Sequence, residues 1–171
     1  MLAERRQPAH EYYVAVLNDR VSQGPVLVAS AQGGMNIEEV AAKDPNAIIT
    51  TPINFERGFS KGEAISIAKK LGFSDESTQL QAANIFINLY RIFKEKDATQ
   101  IEINPMALTT DGQVLWYELS CSSDGTFSNF ILAWMPSLAL TTMLSSANRM
   151  SSLCETSPRK NPLKSKPRKP T

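Results

Sequence analysis

An acid and an amide stand two residues apart in the segment Ile101-Glu-Ile-Asn-Pro105. Side chains of a strand alternate between its two faces, so Glu102 and Asn104 point one way while Ile101 and Ile103 point the other, into a core. One face then carries a proton acceptor beside a group that both donates and accepts hydrogen bonds. Pro105 has no N–H to give to a sheet ladder, so the strand is expected to end there and leave the pair at a strand mouth, where polar binding chemistry is commonly placed. Taken alone, the same pattern also describes the solvated face of a strand edge.

The elements that position this pair can be read along the chain. Glu11 to Leu17 is rich in β-branched and aromatic residues, and turn chemistry at Asn18-Asp19-Arg20 and Ser22-Gln23-Gly24 leads to a second strand, Pro25 to Ser30, which makes a hairpin. Gln32-Gly33-Gly34 ends that strand. Asn36 caps a short helix whose first turn holds Glu38 and Glu39, acids suited to the positive helix end. Ala47 to Thr51 forms a third strand before Pro52. Ser60 caps a helix from Lys61 to Leu71, which Gly72 terminates. Between Ser77 and Lys96 the apolar residues Leu80, Ala83, Ile87 and Tyr90, with Ile85, Leu89, Ile92 and Phe93 beside them, recur at helical steps and make a stripe wide enough to lie against a sheet. Thr99 to Ile103 and Gln113 to Leu115 form a second hairpin around Asp111-Gly112. The order predicts an α+β fold, a mostly antiparallel sheet with helices packed on one side. Gly33-Gly34 reads most simply as a strand-to-helix turn.

The 171 residues suffice for one domain, and an apolar share of 42% permits a real core. The net charge of +1 averages a nearly neutral body with a basic end: from Arg149 onward seven Lys and Arg residues face only Glu155. Cys121 and Cys154 have no Cys-x-x-Cys spacing and no nearby histidine, which argues against a zinc site. Residues 1–13 contain no apolar core of a signal peptide and little Ser, so they do not read as a targeting segment. No apolar run approaches the length that spans a bilayer, and no membrane association is expected.

Five segments, in order, resemble the β subunit of succinate–CoA ligase, in the later part of its ATP-grasp domain: Glu11-Tyr-Tyr-Val-Ala, Gly24-Pro-Val-Leu-Val, Gly33-Gly-Met-Asn-Ile-Glu-Glu-Val-Ala41, Asp97-Ala-Thr-Gln-Ile-Glu-Ile-Asn-Pro105 and Asp111-Gly-Gln-Val-Leu115. The resemblance implies the C-terminal subdomain of an ATP-grasp fold, a mitochondrial matrix location, and a two-stage reaction of the tricarboxylic acid cycle. ATP or GTP phosphorylates a histidine of an α subunit, and that phosphate then activates succinate for attack by coenzyme A. It further implies that Asn104 is a Mg2+ ligand, that Glu102 steadies the partner's histidine, and that Glu4 and Glu11 belong to the nucleotide site at hinge and ribose. His10 is not the phosphorylated residue, since the family carries that histidine on the other subunit. A second reading of the same likeness is a non-catalytic fragment that docks on the α subunit.

The likeness weakens after Leu115. Where the family continues roughly as Cys-Met-Asp-Ala-Lys, with its Asp as a second Mg2+ ligand, this chain has Trp116-Tyr-Glu. The codons open to Trp116-Tyr117-Glu118 and to Leu132-Ala133 include a splice donor and a splice acceptor. Removing the interval between them restores Cys-Met-Asp-Ala in a shifted frame. Residues 1–115 are therefore expected to be a partial ATP-grasp domain, and residues 116–171 a disordered tail, first translated intron and then family sequence out of frame. That origin also accounts for the basic run Lys164-Ser-Lys-Pro-Arg-Lys169, so no nucleic-acid partner is expected. Without the acid, a neutral Asn104 would anchor Mg2+ poorly, and the isolated chain is expected to lack ligase activity.

Overall fold

The computed structural model describes residues 8–123, together with two short strands at 126–130 and 135–136. Glu4, the basic end and Cys154 lie outside the described residues.

The first hairpin pairs β1 (Pro8–Asp19) with β2 (Gly24–Ser30), and β3 (Ile48–Pro52) adds to the free edge of β2. Between them, Asn36 caps α1 (Ile37–Lys43) by accepting from Glu38 N–H, and Glu38 and Glu39 occupy its first turn. A 3-10 turn over Pro45–Ala47 then leads into β3. α2 (Lys61–Lys70) opens with a reciprocal capping box: Ser60 accepts from Glu63 N–H while the Glu63 carboxylate accepts from Ser60 N–H. The twenty residues of α3 (Glu76–Glu95) start at Asp75, which accepts from Thr78 N–H. β4 (Gln100–Thr109), β5 (Val114–Trp116), β6 (Leu119–Ser123), β7 (Thr126–Phe130) and β8 (Met135–Pro136) complete an antiparallel sheet of order β3-β2-β1-β4-β5-β8, with β6 on β4 and β7 on β6.

α2 and α3 pack on one face of this sheet. Their buried residues Ala64, Ile67, Ala68, Ala82, Ala83, Ile85, Phe86, Leu89, Ile92 and Phe93 meet Tyr12, Val14, Val16, Leu27, Ala29, Ile101, Ile103 and Met106 from the strands. Full burial of each large side chain contributes about 1.5–3 kcal/mol, so this single apolar layer is what holds the sheet and helices together. The helices thus cover one face, and the polar pair of β4 stays on the other.

Two expectations are corrected. β4 does not end at Pro105: it continues to Thr109, across a cis Asn104–Pro105 peptide. The missing N–H is absorbed by a bulge. β1 pairs Tyr12 with Met106 and Val14 with Ile103, so Tyr13 alone faces both Asn104 and Pro105. Core-facing positions of β4 are odd through Ile103 and even from Met106, so Asn104 and Pro105 both fall on the polar side.

Nor does the sheet stop at Leu115. Trp116 ends β5 fully buried, and residues 119–123 pair with β4. β5 and β6 follow one register, Met106↔Trp116 and Ile103↔Leu119, interrupted only opposite the proline. An open β4 edge accepts a strand through backbone groups that any residue except proline can supply, so a weak side-chain pattern does not prevent pairing. The part of the expected tail beyond residue 136 lies outside the described residues.

Candidate functional site

The polar face is built on the bulge of β4. The Asn104 side chain reaches across to the turn after β2: its Oδ1 accepts from Gly34 N–H at 2.9 Å, and its Nδ2 donates to Met35 O at 3.2 Å. The turn has no freedom to hold larger residues. A Cβ on Gly33 would lie 2.4 Å from Tyr12 N, and Gly33 N–H already donates to Glu11 O at 3.0 Å. Gly34 has φ +68°, and a Cβ there would come within 2.6 Å of Glu11 Oε2. The plain turn expected from sequence is therefore also the element that brings the Glu11 carboxylate next to the Gly34 backbone and the Asn104 amide.

Glu102 sits on the same face of β4, half-buried. Two neutral donors converge on one of its oxygens, Oε2: the Tyr13 hydroxyl at 3.3 Å and Gln100 Nε2 at 3.2 Å. Burial pushes the Tyr13 phenol well above its ordinary range, and the Glu102 charge and hydrogen bond add to that shift, so Tyr13 stays a donor at any physiological pH. His10 lies apart from this group, with Nε2 at 2.8 Å from Ala31 O.

The link between β5 and β6 runs alongside this part of β4. Continuing the pairing of Ile103 with Leu119 by one residue sets Asn104 opposite Glu118, and Asn104 N–H donates to Glu118 O at 3.3 Å. The contact is through the Glu118 backbone, in the two-residue link between β5 and β6. Counted one-for-one past Leu115, Glu118 is the acid that falls at this point of the chain, a count that the change at Trp116 hides.

The structure thus brings Glu11, Glu102 and Asn104 to one face, with the backbone of Glu118 against Asn104. Among the described residues no cluster of three or more His, Cys, Asp or Glu could enclose a metal. One carboxylate and one amide oxygen instead suit a hard cation that keeps most of its water and its phosphate ligands, which is the habit of Mg2+. Asn104 Oδ1 retains a second lone pair beside the one that Gly34 N–H occupies.

A family model described as the ATP-grasp domain matches residues 1–108. The chain is 46% identical over 127 residues to the hydrogenosomal ADP-forming succinate–CoA ligase β subunit of Neocallimastix frontalis, a match over 74% of this chain and 29% of that one. It is 51% identical over 114 residues to the mitochondrial ADP-forming succinate–CoA ligase β subunit of Neurospora crassa, over 67% of this chain and 25% of that one. The chain therefore spans under a third of the length of these relatives. Among solved structures, ATP citrate lyase of Methanothrix soehngenii, in complex with citrate and coenzyme A, superposes with a TM-score of 0.50 at 19% identity, over 69% of this chain and 25% of that one, which supports the fold.

Proposed function

The chain belongs to the ATP-grasp family, and on that footing we propose that it supplies one wall of the nucleotide site in the β subunit of a succinate–CoA ligase, working on a histidine of an α partner. The observation that carries this reading is the meeting of Glu102, Asn104 and the Gly34 turn on the one sheet face that α2 and α3 leave uncovered.

Phosphoryl transfer needs little covalent help from protein; it needs charge held in line with the moving phosphoryl group. Mg2+ bound with ATP or GTP would be held here by Asn104 Oδ1 and the Glu118 carboxylate, and when bound it neutralises charge on the phosphate oxygens. Glu102 accepts the N–H of the partner's imidazole and fixes the ring while its other nitrogen receives the phosphoryl group. Glu11, held beside the Gly34 turn, accepts from a ribose hydroxyl, and Glu4 is assigned to the nucleotide hinge. The chain's own part is to hold the nucleotide and steady the histidine. Turnover by the isolated chain is not expected, since the histidine belongs to the partner.

No helix among the described residues is long and apolar enough to cross a membrane. The names of the relatives, mitochondrial and hydrogenosomal, support a mitochondrial matrix location or its hydrogenosomal counterpart.

The test is phosphorylation of an α subunit by γ-labelled ATP or GTP and Mg2+ in the presence of this chain. Acid-labile, base-stable label on the α subunit is expected, and Glu102→Gln and Asn104→Ala are each expected to cut its rate at least tenfold. Label that forms equally fast with both variants would overturn the assignment. Stable binding to the α subunit with no label at all would favour the non-catalytic docking fragment.

A further inference from the structure

We infer that Tyr13 and Gln100 are positioning residues for the Glu102 carboxylate, holding its Oε2 so that Oε1 alone is presented to an incoming N–H donor. This rests on the reading of Glu102 given above.

The geometry is specific to the bulge. Tyr13 faces two residues of β4 at once, because Tyr12 pairs with Met106 and Val14 with Ile103. In a regular ladder its ring would stand over a single partner. Here the hydroxyl reaches Glu102 Oε2 at 3.3 Å, while Gln100, two residues before Glu102 on the same face, sends Nε2 to the same oxygen at 3.2 Å. Tyr13 is only 2% exposed. A buried phenol needs an acceptor, and a half-buried carboxylate needs donors; each satisfies the other without an ion pair.

Neutral donors suit the role better than a cation would. An arginine in place of Tyr13 and Gln100 would neutralise the carboxylate and weaken its pull on an imidazole that gains positive character. Two neutral hydrogen bonds keep the charge and fix only the orientation.

The experiment uses the full chain labelled with 13C at the Glu side-chain carboxyl carbons, and compares the Glu102 resonance at one neutral pH in the natural chain, in Tyr13→Phe and in Gln100→Ala. Each variant removes one donor while Phe keeps the ring in place. The Glu102 carboxyl resonance is expected to move in each variant, since each removes one hydrogen bond to Oε2. With the α subunit and saturating nucleotide, Tyr13→Phe is expected to slow histidine phosphorylation roughly tenfold while the KM for nucleotide stays unchanged. If Glu102→Gln abolishes labelling but neither Tyr13→Phe nor Gln100→Ala moves the resonance or the rate, the positioning inference fails and the reading of Glu102 stands. If Glu102→Gln leaves labelling intact, the reading of Glu102 fails and the inference with it.

Discussion

Asn104 and Gly34, seventy positions apart in the chain, are joined by a 2.9 Å hydrogen bond from the Gly34 N–H to the Asn104 Oδ1. The same amide donates to Met35 O, so a single side chain ties the bulge of β4 to the turn that leaves β2. The cation site proposed here and the closure of the sheet therefore depend on the same residue.

Replacement of the two turn glycines separates packing from conformation. Gly33→Ala sets a methyl group against the Tyr12 backbone, which cannot yield without disturbing β1. Gly34→Ala costs the left-handed conformation and a contact with the movable end of Glu11. Urea unfolding is expected to show Gly33→Ala losing about 3 kcal/mol or more and Gly34→Ala about 1–2 kcal/mol. The reverse ranking would mean that the turn does not pack against β1.

The cation pair is open to direct measurement. Mn2+ binding in the presence of ATP, followed by electron paramagnetic resonance, is expected to weaken roughly tenfold in Glu118→Gln and in Asn104→Ala. Glu118→Gln should leave unfolding within about 0.5 kcal/mol of the natural chain, since it changes a half-buried side chain and no backbone bond. Asn104→Ala should also lose about 1–2 kcal/mol of stability with its two hydrogen bonds. Unchanged Mn2+ affinity in Glu118→Gln would remove Glu118 from the site.

The helix caps predict an acid limb of stability. Ser60 hydrogen bonds hold the Glu63 carboxyl below its usual range, with Arg57 adding to the effect, and the Thr78 N–H holds the Asp75 carboxyl below its own. A carboxyl whose pKa is depressed on folding stabilises the fold above its unfolded pKa, near 4, and that contribution disappears as pH falls through the folded value. Urea midpoints are expected to drop as pH is lowered from about 5 to 3, and Ser60→Ala is expected to flatten part of that drop. An unaltered slope in Ser60→Ala would mean that the capping box does not contribute to it.

Trp116 bears on the origin of the closing strand. Its indole N–H is buried with no hydrogen-bond partner among the described residues, a cost of about 1–3 kcal/mol, at a position where the resembled family carries a small Cys. The mature transcript is expected to read Cys-Met-Asp after Leu115, with the interval through Ala133 removed. Sequencing of cDNA across the Leu115 codon checks this, and a continuous reading through Trp116, Tyr117 and Glu118 in the mature message would end the intron proposal. Either product carries a carboxylate three residues after Leu115, opposite Asn104.

Local chemistry in the sequence was enough for most of the elements. The β-branched and aromatic content of Glu11–Leu17, the Asn36 and Ser60 caps, and the apolar stripe of α3 each follow from interactions within a few residues, and each matches an observed element. The core aromatics Tyr90 and Phe93 were legible for the same reason. The polar face of Glu102 and Asn104 followed from alternation along one strand.

What sequence alone left undecided is everything that depends on which strand lies alongside which. Whether Pro105 ends β4 is settled by a neighbour, β1, whose Tyr13 can face two residues instead of one. The partners of Glu102 and Asn104 come from Tyr13 and Gly34, far away in the chain, and the nearness of Glu118 comes from a hairpin register. Propensity and period act over a few bonds, whereas register is fixed by the backbone hydrogen bonds and packing of whole strands, so the residues were visible in the sequence while their assembly into a site was decided by tertiary structure.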